Sequence, residues 1–480
     1  MSPRKIIIDT DPGVDDILAM LLAFSTLPEE LEILLISVTY GNIDLTNCLR
    51  NVVSLFHHIE QEIRWRESQG REAGFETLRK TKPLVAIGPD HPLRDDKLMA
   101  DFFHGTDGLG GIHDSHPHLA PGEAWKELFE DAQAKENQDP DNLAVAEVLS
   151  KNEPMFAPSK IPAHLEILRL LRENDADTIS IVAIGPLTNL AIAAAEDTET
   201  FLRAKEVVVM GGTIDLPGNV RIPTVPSLVL PPKVSEPAFR LTRAAPGPIR
   251  NMLNGKNQMT PVAEFNTFAD SYAAARVYAL TSPTPKTTLP PIPPTSHGST
   301  QGTSPPPFLA PYPENLSRRL NVKLFPLDIT ERHLLTRGEF TKAVDPLLKA
   351  HSPLAEWVSA FLTSTFNKVE SLQQNVSGDA VPLQLHDPLC IWYCMSALDP
   401  KWNLTQNEDI RVETSGQWTR GMCVTDGRSR RVLDYDGVEE RAGDSGNWLS
   451  RKAGNRMQRC MGTPGEERFG GYMLERIFKS

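Results

Sequence analysis

Four aspartates lie within eight residues near the start of the chain, directly after three isoleucines. They are Asp9, Asp11, Asp15 and Asp16, in the stretch IIIDTDPGVDD. Carboxylates this close repel one another, and burial beside a strand adds to the cost, so they are stable when a positive charge lies among them. Hard cations such as Ca²⁺ and Mg²⁺ take oxygen ligands of this kind. The spacing therefore predicts a divalent cation site.

Other interpretations of this stretch exist. Pro12 and Gly13 predict a turn that places Asp15 and Asp16 in the first turn of a helix, where acids are favourable as simple caps. An EF-hand loop is excluded, since its alternating acids, central glycine and final glutamate are absent. A D-x-D pattern after a first strand also occurs in Mg²⁺-dependent haloacid-dehalogenase-type phosphohydrolases. Their remaining residues, a Ser or Thr, a Lys and a late acidic pair, cannot be placed convincingly in this sequence.

Apolar runs typical of buried strands alternate with stretches of helical periodicity. This alternation predicts a single α/β domain over residues 1–480, with an open, mostly parallel doubly wound sheet flanked by helices. Ligands of such sheets bind outside the carboxyl ends of the strands, where polar and glycine residues gather in this sequence. The predicted strands are residues 5–9, 31–42, 83–88, 178–185, 206–212 and 322–328, and the predicted helices are residues 15–27, 47–59, 163–174 and 188–197.

The overall composition narrows the class of partner. A net charge of −13 argues against nucleic acid or an anionic membrane as the main partner. No run of 18 apolar residues occurs, and the N-terminal MSPRK leads directly into a strand pattern, so we expect a cytosolic protein. The five cysteines are few and scattered, which favours reduced thiols that pack in the core.

Three segments interrupt the alternation of predicted strands and helices. Residues 66–81 form a short polar insertion, and residues 283–313 contain 11 prolines. The proline-rich segment favours an exposed polyproline-like surface loop, with recruitment of a partner that binds such peptides as the alternative. Residues 220–258 contain seven prolines, six Lys or Arg and one acidic residue, inside an acidic protein.

Seven sequence blocks together resemble the inosine-uridine-preferring nucleoside hydrolase family. They occur in the family's order and span nearly the whole chain. A single block such as GPLTN would be weak, but the first, sixth and seventh in combination are highly specific. The blocks are DTDPGVDD (9–16), YGN (40–42), HGTDGLGG (104–111), IGPLTNLA (184–191), VVVMGG (207–212), PVAEFN (261–266) and HDPL (386–389).

The resemblance implies an N-ribohydrolase that uses Ca²⁺ to cleave the bond between ribose and base. By position, Asp11, Asp16 and Asp387 should hold the metal, with the backbone carbonyl of Ile184 as a further ligand. Asp11 would also take a proton from a water on the metal. Anionic carboxylates suit this reaction, because the ribosyl group gains oxocarbenium character as the bond breaks.

The resemblance also assigns residues to the sugar and the base. Asp15 and Asn42 would hold the ribose hydroxyls, while Glu264 and Asn266 would bind the sugar, including its 5′ side. His386 is a candidate proton donor to the departing base, and His104 is a candidate second residue on that side. A packing role is the alternative for either histidine. Thr188 and Asn189 are expected to cap a helix and pack the strand end.

One departure concerns the asparagine that in the family precedes the AEFN glutamate by six residues and contacts the ribose. That position is Gln258 in this chain, whereas the matching PGN context occurs at residues 217–219. Removing residues 220–258 would place Asn219 six residues before Glu264. We therefore predict that this segment is a translated intron, which is present either through an error of gene prediction or as a retained-intron isoform. Valine codons begin with GT and a glutamine codon can end in AG, as intron ends require. The alternative is a genuine proline-rich insertion.

The sequence thus predicts Ca²⁺-dependent hydrolysis of ribonucleosides, uridine or inosine among them, to ribose and free base. The first alternative is a catalytically impaired relative that binds nucleoside or Ca²⁺, disabled by residues 220–258. The second is the phosphohydrolase introduced above. Relatives in the family form homodimers or homotetramers, and the resemblance implies the same here. Residues facing the base lie in variable loops, so base preference stays open.

Overall fold

The computed structural model of this chain describes residues 2–122, 129, 155–219, 261–291, 306–373 and 376–478. The segment 220–258 therefore lies outside the described residues. Strands are numbered along the chain. They are β1 Arg4–Thr10, β2 Leu31–Val38, β3 Leu84–Ile87, β4 Ala157–Pro158, β5 Ile179–Ala183, β6 Glu206–Met210, β7 Val322–Phe325, β8 Leu334–Thr336, β9 Pro382–Gln384, β10 Asn403–Leu404, β11 Arg411–Val412, β12 Cys423–Val424 and β13 Gln458–Gly462.

Nine of these strands form the central sheet, in the order β10-β13-β7-β6-β5-β1-β2-β3-β4. Every neighbouring pair is parallel except β10 and β13 at one edge. From β1 the chain proceeds outward through β2, β3 and β4, then returns to β5 on the other side of β1. The strand order therefore reverses between β1 and β5, which is the position where doubly wound sheets bind ligands. The predicted fold is confirmed.

Helices cover both faces of this sheet. They are α1 Val14–Phe24, α2 Leu45–Ser68, α3 Glu76–Lys80, α4 Asp101–His104, α5 Ile112–Ser115, α6 Ala163–Glu173, α7 Thr188–Glu196, α8 Thr198–Phe201, α9 Phe265–Ala269, α10 Ser271–Ala279, α11 Leu327–Thr330, α12 Arg337–Lys349, α13 Pro353–Leu372, α14 His386–Ser396 and α15 Phe469–Phe478.

The isoleucines of β1 show how the sequence produces two packed layers. Side chains alternate along a strand, so Ile6 and Ile8 enter the core on one face and Ile7 enters the core on the other. All three are fully buried, and burying a side chain of this size stabilises the fold by about 2 kcal/mol. A strand apolar on both faces can lie only in the middle of such a sheet. This places the aspartates that follow β1 at the centre of the molecule.

Two predicted insertions differ from simple exposed loops. Residues 66–68 finish α2, α3 lies inside the 66–81 segment, and Arg66 is buried in an ion pair with Glu62. In the proline-rich segment, residues 292–305 lie outside the described residues. The expectation of an exposed loop is wrong for part of the remainder, because Leu309 and Tyr312 are buried and the Tyr312 hydroxyl donates to the Arg276 carbonyl.

The five cysteines are free and buried, as expected for packing residues. Cys390 and Cys394 lie one turn apart on α14. Among the helices of the described ranges, none combines the length and the apolar character needed to cross a bilayer.

Candidate active site

The carboxyl ends of β1 and β5 meet at the point where the strand order reverses. The Ile184 amide, just after β5, donates to the Asp9 carbonyl at 2.8 Å. On the other side, the Thr39 amide donates to the Thr10 carbonyl at 2.9 Å. These bonds hold Asp11, which follows β1 directly, between the ends of the two neighbouring strands.

Asp16 is the most firmly held of the four clustered aspartates. Its carboxylate accepts hydrogen bonds from the Thr10 hydroxyl at 2.6 Å, the Gly13 amide at 3.0 Å and the Asn42 side-chain nitrogen at 2.9 Å. Asp16 lies in the first turn of α1, where acid is favourable. These donors fix the carboxylate orientation, and they link the DTDPGVDD turn to the YGN turn after β2.

The Asp11 carboxylate lies between Gly41 and Gly185, and a Cβ at either position would collide with it. Its Oδ2 atom accepts from the Asn42 amide at 2.6 Å. Its Oδ1 atom is buried and has no hydrogen-bond partner among the described residues. Burial, followed by the charge of Asp16, raises the Asp11 pKa well above the ordinary range. A buried carboxylate oxygen without a donor is suited to hold a cation or to accept a proton.

Carboxylate oxygens of Asp15, Asp16 and Asp387 lie within 4.8 Å of one another. Asp387 reaches the group from the first turn of α14 and is buried. Burial and then the Asp16 charge raise the Asp15 pKa to about 7, while burial and then the Asp15 charge raise the Asp387 pKa well above its usual range. Three neighbouring acids with raised pKa values fit a hard cation with oxygen ligands.

The structure groups the predicted metal residues differently from the sequence prediction. Asp16 and Asp387 belong to the three-carboxylate group, but Asp15, predicted for the ribose, completes it in place of Asp11. The Ile184 carbonyl accepts from the Asn266 side-chain nitrogen at 2.9 Å. A carbonyl oxygen has two lone pairs, so this bond leaves one available to a cation.

Glu264 has structural partners for both of its carboxylate oxygens. As the N-cap of α9 it accepts from the Asn266 amide at 2.7 Å and the Thr267 amide at 2.9 Å. It also accepts from the Gly212 amide at 2.8 Å, which ties the turn after β6 to α9. Burial raises the Glu264 pKa. The arrangement places Glu264 next to Asn266 and fixes the orientation of both side chains.

Asn219 lies beside this AEFN turn despite its distance along the chain. Its Oδ1 atom accepts from the Phe265 amide at 2.9 Å, and the neighbouring Gly218 amide donates to the Pro261 carbonyl at 2.8 Å. A Cβ at Gly218 would collide with the Ala263 backbone, so glycine is required for this close approach. The chain therefore leaves and rejoins the described structure at one place.

The two predicted base-side histidines are both uncharged near pH 7. The His386 Nδ1 atom lies 2.8 Å from the Thr330 hydroxyl, and burial lowers the His386 pKa to about 4. The His104 Nδ1 atom accepts from the Val14 amide at 3.4 Å. Burial, and then the nearby His386 ring, lowers the His104 pKa to about 3. Both rings therefore offer neutral N–H donors.

The expected capping role of Thr188 and Asn189 is wrong. The N-cap of α7 is Leu187, which has no side chain able to cap. Asn189 instead donates to Asp9 Oδ1 at 2.8 Å beneath the site, and the Thr188 hydroxyl donates to Asp270 at 2.8 Å. Burial of the ends of β1 and α7 against each other overrides the local preference. Sequence reasoning also missed Thr10 and Thr330, which hold Asp16 and His386; the only signal was their position beside the recognised blocks.

Comparisons with known proteins agree with this site. A family model described as inosine-uridine preferring nucleoside hydrolase matches residues 6–449. Uridine nucleosidase 1 of Arabidopsis thaliana is 29% identical over 237 residues, which cover 49% of this chain and 53% of that protein, so the match spans about half the length of that relative. The pyrimidine-specific ribonucleoside hydrolase RihA of Klebsiella pneumoniae (strain 342) is 28% identical over 421 residues, 88% of each chain.

Solved structures share the same fold. A plant nucleoside hydrolase, the PpNRh1 enzyme, aligns over 100% of both chains with a TM-score of 0.58 and 19% identity. A purine-preferring ribonucleoside hydrolase from Gardnerella vaginalis aligns over 99% of this chain and 98% of its own, with a TM-score of 0.56 and 18% identity. The phosphohydrolase alternative gains no support from these comparisons. Because the family model matches most of the chain, this protein belongs to the inosine-uridine preferring nucleoside hydrolase family.

Proposed function

We propose that this chain hydrolyses the N-glycosidic bond of ribonucleosides, uridine or inosine among them, to ribose and free base with Ca²⁺. One observation carries the proposal. The carboxylates of Asp15, Asp16 and Asp387 converge at the position where the strand order reverses, next to the unpartnered Asp11 Oδ1 atom. In a member of a nucleoside hydrolase family, such a group is suited to a cation and a reacting sugar.

The donor set fits Ca²⁺. Asp15, Asp16 and Asp387 offer carboxylate oxygens, and the Ile184 carbonyl and Asp11 Oδ1 lie at the adjoining strand ends. Ca²⁺ accepts six to eight such oxygens with flexible geometry, whereas Mg²⁺ requires a stricter octahedron. When bound, the cation would lower the pKa of a water and hold ribose hydroxyls.

Asp11 supplies the base that takes the proton of the attacking water. Its Oδ1 atom is free to accept that proton, while the Asn42 amide holds Oδ2 in place. The raised pKa caused by burial makes Asp11 a stronger base than an exposed aspartate. The negative charges of the surrounding carboxylates also stabilise the oxocarbenium character that develops on the ribose.

The remaining site residues bind the two parts of the nucleoside. Asp15 is only partly buried, so its carboxylate can accept from ribose hydroxyls. Asn42, Asn266, Glu264 and Asn219 approach the sugar from neighbouring turns. The neutral rings of His386 and His104 donate hydrogen bonds to the departing base, which leaves as an anion unless it gains a proton.

Ribose release from uridine, inosine and cytidine tests the proposal. We expect release with Ca²⁺, none after chelation, and a loss of about a thousandfold or more for Asp11→Asn, since the water then lacks its base. Asp44→Asn is the matched control, because Asp44 only caps α2 and an asparagine can cap as well. Phosphate release from phosphate esters without ribose release would instead favour the phosphohydrolase.

The second candidate function is a nucleoside- or Ca²⁺-binding relative without turnover. It is favoured by one observation, the 39 residues that separate Asn219 from Met259 beside the AEFN turn. Ca²⁺ binding measured by calorimetry, together with no ribose release from uridine, inosine or cytidine, would identify this second function.

A further inference from the structure

Asn51, in the interior of α2, bonds to the backbone of two loops that contribute to the site. Its Nδ2 atom donates to the Pro12 carbonyl at 2.9 Å and to the Asp107 carbonyl at 2.8 Å. Pro12 follows Asp11 in the DTDPGVDD turn, and Asp107 lies in the HGTDGLGG block. The Asn51 side chain is fully buried, so neither carbonyl can exchange this donor for water.

The third bond of Asn51 fixes the orientation of its amide. The Oδ1 atom accepts from His113 Nε2 at 2.8 Å. Carbonyl oxygens only accept, so Nδ2 must face Pro12 and Asp107, and the His113 ring must carry its hydrogen on Nε2. Burial lowers the His113 pKa to about 4, so the ring stays neutral. Both donors and the acceptor of Asn51 are therefore used.

The HGTDGLGG loop is built as one unit around Asp107. The Asp107 carboxylate accepts from the Leu109, Gly111 and His113 amides at 2.9, 2.7 and 2.9 Å. Gly108 adopts a φ of +80°, and a Cβ there would lie 2.6 Å from the Ile43 side chain and 2.9 Å from Asn51 Nδ2. Only glycine lets the loop approach Asn51 this closely.

This unit begins at His104, which also contacts the turn that follows Asp11. A Cβ at Gly13 would lie 2.7 Å from His104 Nδ1, and the Val14 amide donates to the same nitrogen. The turn after Asp11 is thus contacted by Asn51 at the Pro12 carbonyl and by His104 at Gly13 and Val14. Any shift of the loop would move His104 relative to Asp11 and Asp16.

We propose that Asn51 is a positioning residue for the reaction, setting the separation between the Asp11–Gly13 turn and the loop that carries His104. This inference rests on the proposed function of the site. Asn51 itself is fully buried and its side chain bonds to Pro12, Asp107 and His113, so it acts through His104. No direct role of Asn51 in bond cleavage follows from its contacts.

Amide hydrogen exchange of the full chain tests whether Asn51 holds the Asp11–Gly13 turn and the HGTDGLGG loop together. We call this arrangement the clamp, and the test needs no enzymatic activity. In the unmodified protein, peptide 105–115 should exchange slowly although most of it is a loop that precedes the short helix α5, because Asp107 and Asn51 hold it. Asn51→Leu and the isosteric Asn51→Asp each remove donors to both carbonyls, so exchange in this peptide should rise about tenfold or more. A peptide covering β5 should not change. Asn47→Leu is the control, since Asn47 lies one turn earlier on α2 and bonds to Asp44.

A double-mutant cycle tests the path through His104. Asn51→Leu should lower kcat/KM for uridine or inosine by about tenfold to a hundredfold, and so should His104→Ala. In the double variant the fold-loss in kcat/KM should be much smaller than the product of the two single-variant losses. Both substitutions disturb the same contact, between His104 and the turn after Asp11. Asn47→Leu should keep the activity of the unmodified chain.

The outcomes separate the claim that Asn51 holds the loop from the claim that it acts through His104. Fast exchange of peptide 105–115 in the unmodified protein, or unchanged exchange in both Asn51 variants, overturns the clamp. Fully multiplicative losses overturn its action through His104. If no form releases ribose while the variants still accelerate exchange, the proposed function fails but the clamp stands.

Discussion

The Asn266 side-chain nitrogen lies 2.9 Å from the Ile184 carbonyl oxygen and 3.4 Å from the Met210 carbonyl oxygen. One amide thus bridges the ends of β5 and β6, two neighbouring strands of the sheet. The Ile184 carbonyl is the backbone ligand that the family resemblance implies for the cation. Asn266 therefore holds that carbonyl in place, in addition to any contact with the sugar.

Replacing Asn266 with leucine should weaken cation binding. Two buried carbonyls lose their donor, which should lower the free energy of unfolding by about 2 kcal/mol. Loss of a residue that orients a metal ligand typically costs tenfold to a hundredfold in metal affinity, and we expect a change in Ca²⁺ affinity of about that size. Thr188→Val is the control, because it removes a buried donor to Asp270 that touches no cation ligand. Equal Ca²⁺ affinity in both variants would contradict the role of Asn266.

Ca²⁺ affinity should rise with pH up to about 7. Burial raises the pKa of Asp15 to about 7 and that of Asp387 well above its ordinary value, so both hold protons in mildly acidic solution. A cation must displace those protons, and its binding tightens as the pH rises. Calorimetry at pH 5.5, 6.5 and 7.5 should show this trend with proton release, and Asp387→Asn should bind Ca²⁺ more weakly at each pH. A Ca²⁺ affinity that stays constant from pH 5.5 to 7.5 would contradict this prediction.

The same shifts predict how the stability of the Ca²⁺-free protein depends on pH. The folded protein retains protons that the unfolded chain has already lost, so the stabilising contribution of these carboxyls is complete below their ordinary pKa. It is lost as the pH rises through about 7, where the carboxylates repel one another. Added Ca²⁺ should therefore raise Tm more at pH 8 than at pH 5.5. An equal rise at both pH values would show that the carboxylates do not share the cation.

The parallel sheet could be predicted from sequence because its signals are local. Ile6–Ile8 within KIIID and Val207–Met210 within EVVVMGG are unbroken apolar runs, and strands buried on both faces have that pattern. The prediction missed β4 and β8 to β13. All of these except β13 have only two or three residues, and β13 pairs with β7 at only two positions, so none of them needs a long apolar run. The site residues were predicted through the family blocks.

The connections between the blocks could not be predicted, because each depends on tertiary contacts. Asn51 lies in a helical stretch with no sign that its amide turns inward toward two loops. Asn189 looked like a helix cap, and its bond to Asp9 follows only from the way α7 packs on β1. Local patterns identify which residues can do chemistry, whereas contacts between distant segments decide how those residues are oriented.

Thr330 should determine how well His386 serves the departing base. The Thr330 hydroxyl lies 2.8 Å from His386 Nδ1, and donation to that nitrogen would leave the hydrogen on Nε2. Thr330→Val has nearly the same shape but lacks the hydroxyl, so we expect kcat to fall about tenfold with little change in KM. Thr330→Ser keeps the hydroxyl and should keep most of the activity. Similar losses in both variants would indicate a packing role alone.

Deleting residues 220–258 should leave a folded and more active chain. The Gly218 amide donates to the Pro261 carbonyl at 2.8 Å, and Asn219 accepts from the Phe265 amide at 2.9 Å, so the described residues before and after the segment are already in contact. After deletion, Met259 and Thr260 alone would connect Asn219 to Pro261, which is enough for a tight turn. We expect Tm to stay within a few degrees and ribose release to rise about tenfold or more, because the shorter connection fixes Asn219 beside the sugar.

A flexible linker of equal length in place of residues 220–258 separates two effects of this deletion. If the residues of the segment obstruct the site, the linker variant should match the deletion. If the long connection instead weakens the bond between Asn219 and the Phe265 amide, the linker variant should stay as slow as the full chain. Sequencing the mature transcript provides the independent measurement. A mature message that retains the codons for residues 220–258 would contradict the intron hypothesis. A full-length chain that releases ribose as fast as the shortened one would contradict inhibition by the segment.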